Sequence, residues 1–437
     1  MASVSPESTA VERGAWQAQR VTLVLNGLFA VRVLLSLGFY ILVARRFGTS
    51  AELDAYWLAV TPSLILVNLS EAAGVAASIN YFTTIAHLAE DEQRSEVAGF
   101  IYAWLCAGAL IAVGLVLGAR EAAALLGPGL SNAGREQTTL LLRWASLAIL
   151  AAPASILGAV GILRVSDRFV AAAVIALVPP AVQITALVGG VRTVSGLAAT
   201  FGAAYVVTAV FALAQLHLAR HPAWLRPTFR HRRLLLAQLP PFMIAELLVQ
   251  SVYLRERSLA SLMGAGSVSA LALGLRLVGA LGAFVSAGVE HTLAPAVARL
   301  HSAGNHSLAQ RSAVRGLWVV AGFTVGPGIA LLLAPRLWVR LAFQRGAFDE
   351  TSVVLTSTVL VGYIGVYVFN SVGRVLIAAT MSRRRAWDCI VINGCVLLLY
   401  LLLAPRLAAS NGLMGLAVST SVALATATAL YALRVSR

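Results

Sequence analysis

The sequence predicts an all-α polytopic membrane protein: about twelve transmembrane helices in two pseudo-symmetric six-helix lobes around a central cavity. Three observations carry this. Of 437 residues, 59% are apolar and only 12% charged, where an ordinary soluble domain has about 25% charged. Mean hydropathy is +0.84. The apolar stretches are continuous, as helices crossing ~30 Å of hydrocarbon require, and lack the alternation of a β-barrel. So few charges cannot cover a soluble surface, which excludes soluble enzyme classes. Such high hydrophobicity also excludes a long disordered chain.

In chain order the expected spans are 21–44, 54–79, 96–119, 138–163, 168–190, 194–218, 234–258, 267–298, 312–334, 353–380, 386–404 and 412–434. The first eighteen residues are polar and carry Glu7, Glu12 and Arg13. They do not form a cleavable signal, so the first apolar run is expected to stay as an anchor helix. Connections are short and leave no room for an external catalytic lobe. The segment 219–233 has the highest charge density. It contains Arg220, Arg226, Arg230, Arg232 and Arg233 among Pro222, Trp224 and Pro227. It reads as a basic cytoplasmic linker on the membrane surface, dividing an N-terminal lobe, 1–218, from a C-terminal lobe, 234–437.

All 33 basic residues are arginine, against 18 acids, for a net charge of +15. On a soluble protein that balance would suggest nucleic acid. Here the arginines fall in short breaks between apolar runs, so the expected partner is anionic membrane lipid and no nucleic acid. Their excess on the N-terminal side predicts that both termini are cytoplasmic. Cys106, Cys389 and Cys395 lie in apolar runs without metal-ligand spacing. They read as packing residues, and no metal site or organic cofactor is expected.

The halves look related. Gly48 follows the first span and Gly264 the seventh, and Ser166 and Ser382 share the offset that separates these two glycines. Two landmarks with one offset suggest a six-helix repeat. Copies with an even span count run parallel, about an axis along the membrane normal, with a substrate path between them.

Ionisable groups within spans are costly and usually face a cavity. Arg32 lies in the first span and Arg276 in the eighth, one per half. Glu71 lies in the second span, with Asp54 at its entry. Buried arginines suggest an anionic substrate, because the guanidinium fork makes two parallel bonds to phosphate. The alternative is an arginine neutralised by Glu71. Arg255 and Arg257 read as interfacial, and Glu290-His291 as a packed pair near an interface. Pro179-Pro180, Pro240-Pro241 and Gly326-Pro327-Gly328 are expected to kink their spans. No phosphate-binding loop, zinc motif or nucleophile elbow is present, so no enzyme activity is expected.

Three stretches carry a family resemblance. Ala44-Arg45-Arg46-Phe47-Gly48, followed by Asp54-Ala55-Tyr56, resembles the first loop of the MurJ/MviN family of lipid II flippases. Phe343-Gln344-Arg345-Gly346-Ala347-Phe348 is similar to that family's FxRGxF loop. Gly266-Ser267-Val268-Ser269-Ala270-Leu271, Arg276-Leu277 and Leu293-Ala294-Pro295 resemble its GSVSAL…RL…LLP stretch. The resemblance implies an inverted-V bundle in the bacterial cytoplasmic (inner) membrane, and a polyprenyl-pyrophosphate-linked saccharide moved from the inner to the outer leaflet for peptidoglycan synthesis. It implies that Arg32, Arg276, Asp54 and Glu71 form the substrate site. Glu256, Asn393 and Thr420 become a candidate site for a coupling Na+ or H+, and cell-envelope synthesis proteins become candidate partners. Two of the family's arginine positions fall at Gly38-Phe39 and Leu66-Val67, which carry no charge. The alternative functions are a multidrug/cation antiporter of the toxin-extrusion type, which would depend on its acids, and a non-transporting envelope-assembly scaffold.

Overall fold

A computed structural model describes residues 6–166, 168–216, 226–283, 306–382 and 386–436. Glu290-His291, Leu293-Ala294-Pro295 and residues 219–225 of the linker lie outside them. The N-terminal half contains α1 (Pro6–Phe47), α2 (Ala51–Leu69), α3 (Val75–Ile85), α4 (Glu90–Leu117), α5 (Ala119–Leu126), α6 (Asn132–Pro153), α7 (Gly161–Val165), α8 (Phe169–Ile175), α9 (Val178–Val188) and α10 (Val194–Gln215). The C-terminal half contains α11 (Arg232–Ala260), α12 (Ser267–Ala283), α13 (His306–Leu333), α14 (Pro335–Phe343), α15 (Glu350–Gly362), α16 (Ile364–Ser382) and α17 (Ala386–Ser436). Seven helical segments among the described residues are long and apolar enough to cross a membrane, or eight if the bent pair α15–α16 is one span. The fold is an all-helical membrane bundle whose segments are consistent with the twelve expected.

Local sequence explains where the helices break. Ser50, Ser131, Thr193 and Asp349 cap α2, α6, α10 and α15 by accepting a backbone N–H three residues on. Of the expected proline kinks, Pro179-Pro180 opens α9 after a break at Leu177, whereas α11 and α13 continue through Pro240-Pro241 and Pro327. A proline removes one ladder bond, and a membrane helix can re-satisfy the freed carbonyl locally. The expected last two spans run on as α17, broken at Gly412, whose φ of 56° suits glycine. Two π turns, Ser70–Gly74 between α2 and α3 and Ala154–Val160 between α6 and α7, lie against each other. Leu157 occupies the space that a side chain at Gly74 would need.

One large core cluster runs through both halves, from Val43, Tyr56 and Trp57 to Leu273, Tyr363 and Tyr400. At one end the halves are bolted together. Thr49 Oγ1 meets Ser352 Oγ at 2.8 Å, Ala347 N donates to Arg45 O at 2.8 Å, and Gly129 N donates to Ser261 Oγ at 3.2 Å. Gly266, at φ 85°, packs against the Thr49 carbonyl so closely that a Cβ would clash. At the other end the described part of the linker docks on α4. Glu96, fully buried, accepts from Arg230 N at 2.8 Å, Tyr81 Oη at 2.8 Å, Thr228 Oγ1 at 3.1 Å and His231 N at 3.4 Å. Four donors compensate for its desolvation.

Candidate functional site

Between the halves lies a cavity of about 820 Å³. Its wall on α11 is a polar stripe at helical spacing, Glu246, Gln250, Tyr253 and Arg257. The stripe follows the wall from Phe242 to Arg257, about 22 Å at 1.5 Å per residue. Across the cavity stand Tyr40, Asn68 and Glu71 of the N-terminal half and Arg276, Asn370 and Thr420 of the C-terminal half. Asn68 Nδ2 donates to Gln250 Oε1 at 3.2 Å, a polar contact between the halves in the cavity wall. The Arg257 end of the cavity adjoins the sealed end.

The structure separates the proposed substrate residues. Arg276 lines the cavity with its guanidinium 5.1 Å from the centre of the Tyr40 ring, within cation–π range. Arg32 donates to Glu71 at 2.7 Å, and both side chains are roughly two-fifths exposed. Glu71 reaches it from the Ser70–Gly74 π turn. The wider turn re-aims the residues that follow it, and such turns recur at functional positions. Arg32 is thus neutralised within its own half. Asp54 does not line the cavity. It is 3% exposed and accepts from Gly266 N at 2.6 Å and from Ser269 N and Oγ at 2.7 and 2.6 Å. An acid of the N-terminal half therefore caps α12 of the C-terminal half, where unpaired N–H groups and the helix dipole favour negative charge.

The candidate cation residues divide as well. Thr420 Oγ1 donates to Glu256, which is 2% exposed. Asn393 donates to Ala245 O at 2.8 Å and accepts from Tyr431 Oη at 3.1 Å. Ala245 precedes Glu256 by three turns of α11, ~16 Å, so Asn393 is not in one shell with the other two. Among the described residues no group of three or more His, Cys, Asp or Glu could hold a metal ion.

Arg257, expected at an interface, is instead a cavity residue, 8% exposed. The α11 spacing held the signal, because Arg257 falls on the face of Glu246, Gln250 and Tyr253 while Arg255 falls off it. Tyr40 and Trp57 carried no sequence signal. Their rings stack at 5.6 Å, with Arg276 against the Tyr40 ring.

Comparison with known proteins agrees with this architecture. A structure of the lipid II flippase MurJ in an inward closed conformation superimposes with a TM-score of 0.81, at 16% identity, covering 95% of this chain and 88% of that one. An inward-facing multidrug resistance MATE family transporter of the MOP superfamily gives 0.76, at 14% identity and 95% and 98% coverage. An outward-facing MATE family transporter gives 0.62, at 14% identity and 95% coverage of each chain. No individually curated protein shows significant similarity. The family model for the lipid II flippase MurJ matches residues 43–437, nearly the whole chain, and on that match the chain belongs to the MurJ family.

Proposed function

We propose that the protein moves a polyprenyl-pyrophosphate-linked saccharide, lipid II or a related cell-envelope precursor, from the inner to the outer leaflet of the bacterial cytoplasmic membrane by alternating access. The observation that carries this reading is a half-buried arginine, Arg276, facing a cavity between two lobes without a carboxylate partner among the described residues. A volume of about 820 Å³ suits a pyrophosphate and part of a sugar, leaving the polyprenyl tail in the bilayer. With both termini in the cytoplasm, the bolted end faces outward and the state described is the inward one. Its better overlap with inward than with outward relatives supports this. Loading from the cytoplasmic leaflet would precede breakage of the sealed-end contacts.

The buried Glu256–Thr420 pair is the candidate position for a coupling H+ or Na+. Envelope-synthesis proteins are the candidate partners. The acids of an extruder-type antiporter are poorly placed here, since Glu71 is engaged by Arg32 and Gln250 Nε2 donates to Glu246 at 2.7 Å.

The test is rescue of bacterial cells depleted of their own lipid II flippase. The intact protein should rescue, and Arg276→Ala at matched membrane level should not. Losing a charge-assisted phosphate contact weakens binding by ~1.5–3 kcal/mol. Rescue by both forms would overturn Arg276 as the anion-holding group.

A further inference from the structure

Arg257 stands at the sealed end of the cavity, and the transport reading above gives it no role. A buried guanidinium costs free energy unless it is paired, and Arg257 and Arg276 line the same cavity. Among the described residues neither arginine has a carboxylate within ion-pair distance. The adjacent acid, Glu256, is engaged by Thr420 of α17. Arg257 rests instead on two neutral acceptors of the opposite half, Thr61 Oγ1 at 2.6 Å and the Trp57 carbonyl at 3.4 Å. That carbonyl already accepts from the Thr61 hydroxyl at 2.6 Å. Trp57 stacks on Tyr40, whose ring lies against Arg276. Both cations thus touch the other lobe, Arg276 through the Tyr40 ring and Arg257 through the Trp57 carbonyl and Thr61, and Arg257 ties the lobes together through weak acceptors.

We infer that Arg257 and Arg276 together bind the pyrophosphate of the substrate, and that this binding draws Arg257 off Thr61 and Trp57 and so releases an inter-lobe tie beside the sealed end. The inference rests on the flippase reading and moves the anion site away from Arg32. A charge-assisted arginine–phosphate bond is roughly twice as strong as one to a neutral acceptor, so a phosphate outcompetes both present partners. A ligand shifts a conformational equilibrium only by its differential affinity for the two states. Here the difference arises because Arg257 cannot hold its lobe contacts and the anion equally well. The cations used lie on the C-terminal half, one of them on α11.

The full chain in detergent is titrated with farnesyl pyrophosphate, with farnesol, inorganic pyrophosphate and phosphatidylglycerol as separate arms. A spin-label pair placed by Ala51→Cys and Leu262→Cys, with the native cysteines replaced, reads the width of the sealed end. Farnesyl pyrophosphate should bind and lengthen that distance, and farnesol should do neither. Arg257→Gln should weaken binding about 10- to 100-fold and abolish the ligand-dependent lengthening. Arg257→Lys should recover part of the affinity. Thr61→Val, which keeps both cations, should bind at least as well as the intact chain and start from a longer distance. Unchanged affinity in both Arg257 variants, or a sealed end that ignores bound ligand, would overturn the assignment while leaving the flippase reading standing. Phosphatidylglycerol binding as tightly as farnesyl pyrophosphate would reassign the pair to lipid headgroups and overturn it too. Failure of the intact chain to bind any prenyl pyrophosphate would overturn the flippase reading along with it.

Discussion

Asp54 and Glu71 stand at the two ends of the same bent helical segment, and their surroundings are opposite. Asp54 is buried, and both its oxygens are occupied by backbone and hydroxyl donors of the other half. Glu71 is two-fifths exposed and pairs with Arg32 of its own half. At the sealed end, one acid joins the lobes. On the cavity wall Glu71 pairs with Arg32 of its own half, while Arg257 and Arg276 have no carboxylate within ion-pair distance among the described residues. Counting charges in spans therefore misleads. A cavity's sign is set by the ionisable groups left without a counter-ion, and here those lie on the C-terminal half.

The sharpest way to break this comparison is Asp54→Asn. The amide keeps the shape but loses the charge and one acceptor, leaving a donor at the start of α12 unsatisfied. An unmet buried donor costs ~1–3 kcal/mol, so thermal unfolding in detergent should shift down by several degrees and the sealed end should loosen. An unchanged melting temperature would show that Asp54 does not bolt the lobes. A smaller effect sharpens the other side. Arg32→Gln and Glu71→Gln should couple by no more than ~1 kcal/mol, as half-exposed ion pairs do. In the rescue assay the double variant should sit closer to the intact protein than the two single losses combined. If Arg32→Gln abolished rescue even in the Glu71→Gln background, Arg32 would have to touch substrate itself.

The smallest expected effect lies in the loop before α15. Asp349 caps α15, and hydrogen bonds from Ser352 N and Oγ, each 2.8 Å, hold its carboxyl below the usual carboxylate range. Its stabilising contribution is complete above the unfolded value, about 3.9, and drains away as pH falls through the lower folded value. A shallow acid-side decline in melting temperature should follow, and it should flatten in Asp349→Asn.

Much of the architecture was legible in residue order. Continuous apolar runs can only be helices in lipid, because every backbone group must be satisfied within its own segment. The matched glycines were informative for a local reason: Gly48 and Gly264 have φ of 61° and 102°, conformations that other residues adopt only under strain. The candidate site was legible only in part. Arg276 and Glu71 do line the cavity. The family resemblance puts Asp54 in the substrate site, yet its partners lie more than two hundred residues away, outside the cavity. Asn393 and Thr420 sit on either side of the Gly412 break in α17, and they meet different turns of α11.

By itself, then, the sequence determined a helical membrane bundle, rich in arginine and poor in acids. Hydrophobic length and backbone satisfaction act within each segment and need no knowledge of neighbours. Only the tertiary structure decided which charges survive as charges. Neutralisation requires a counter-ion within a few ångströms, and that proximity is set by how α1, α2, α11 and α12 pack. The packing closed Glu71 on Arg32, drew Asp54 to the opposite lobe, and left Arg257 and Arg276 facing the cavity without a carboxylate among the described residues.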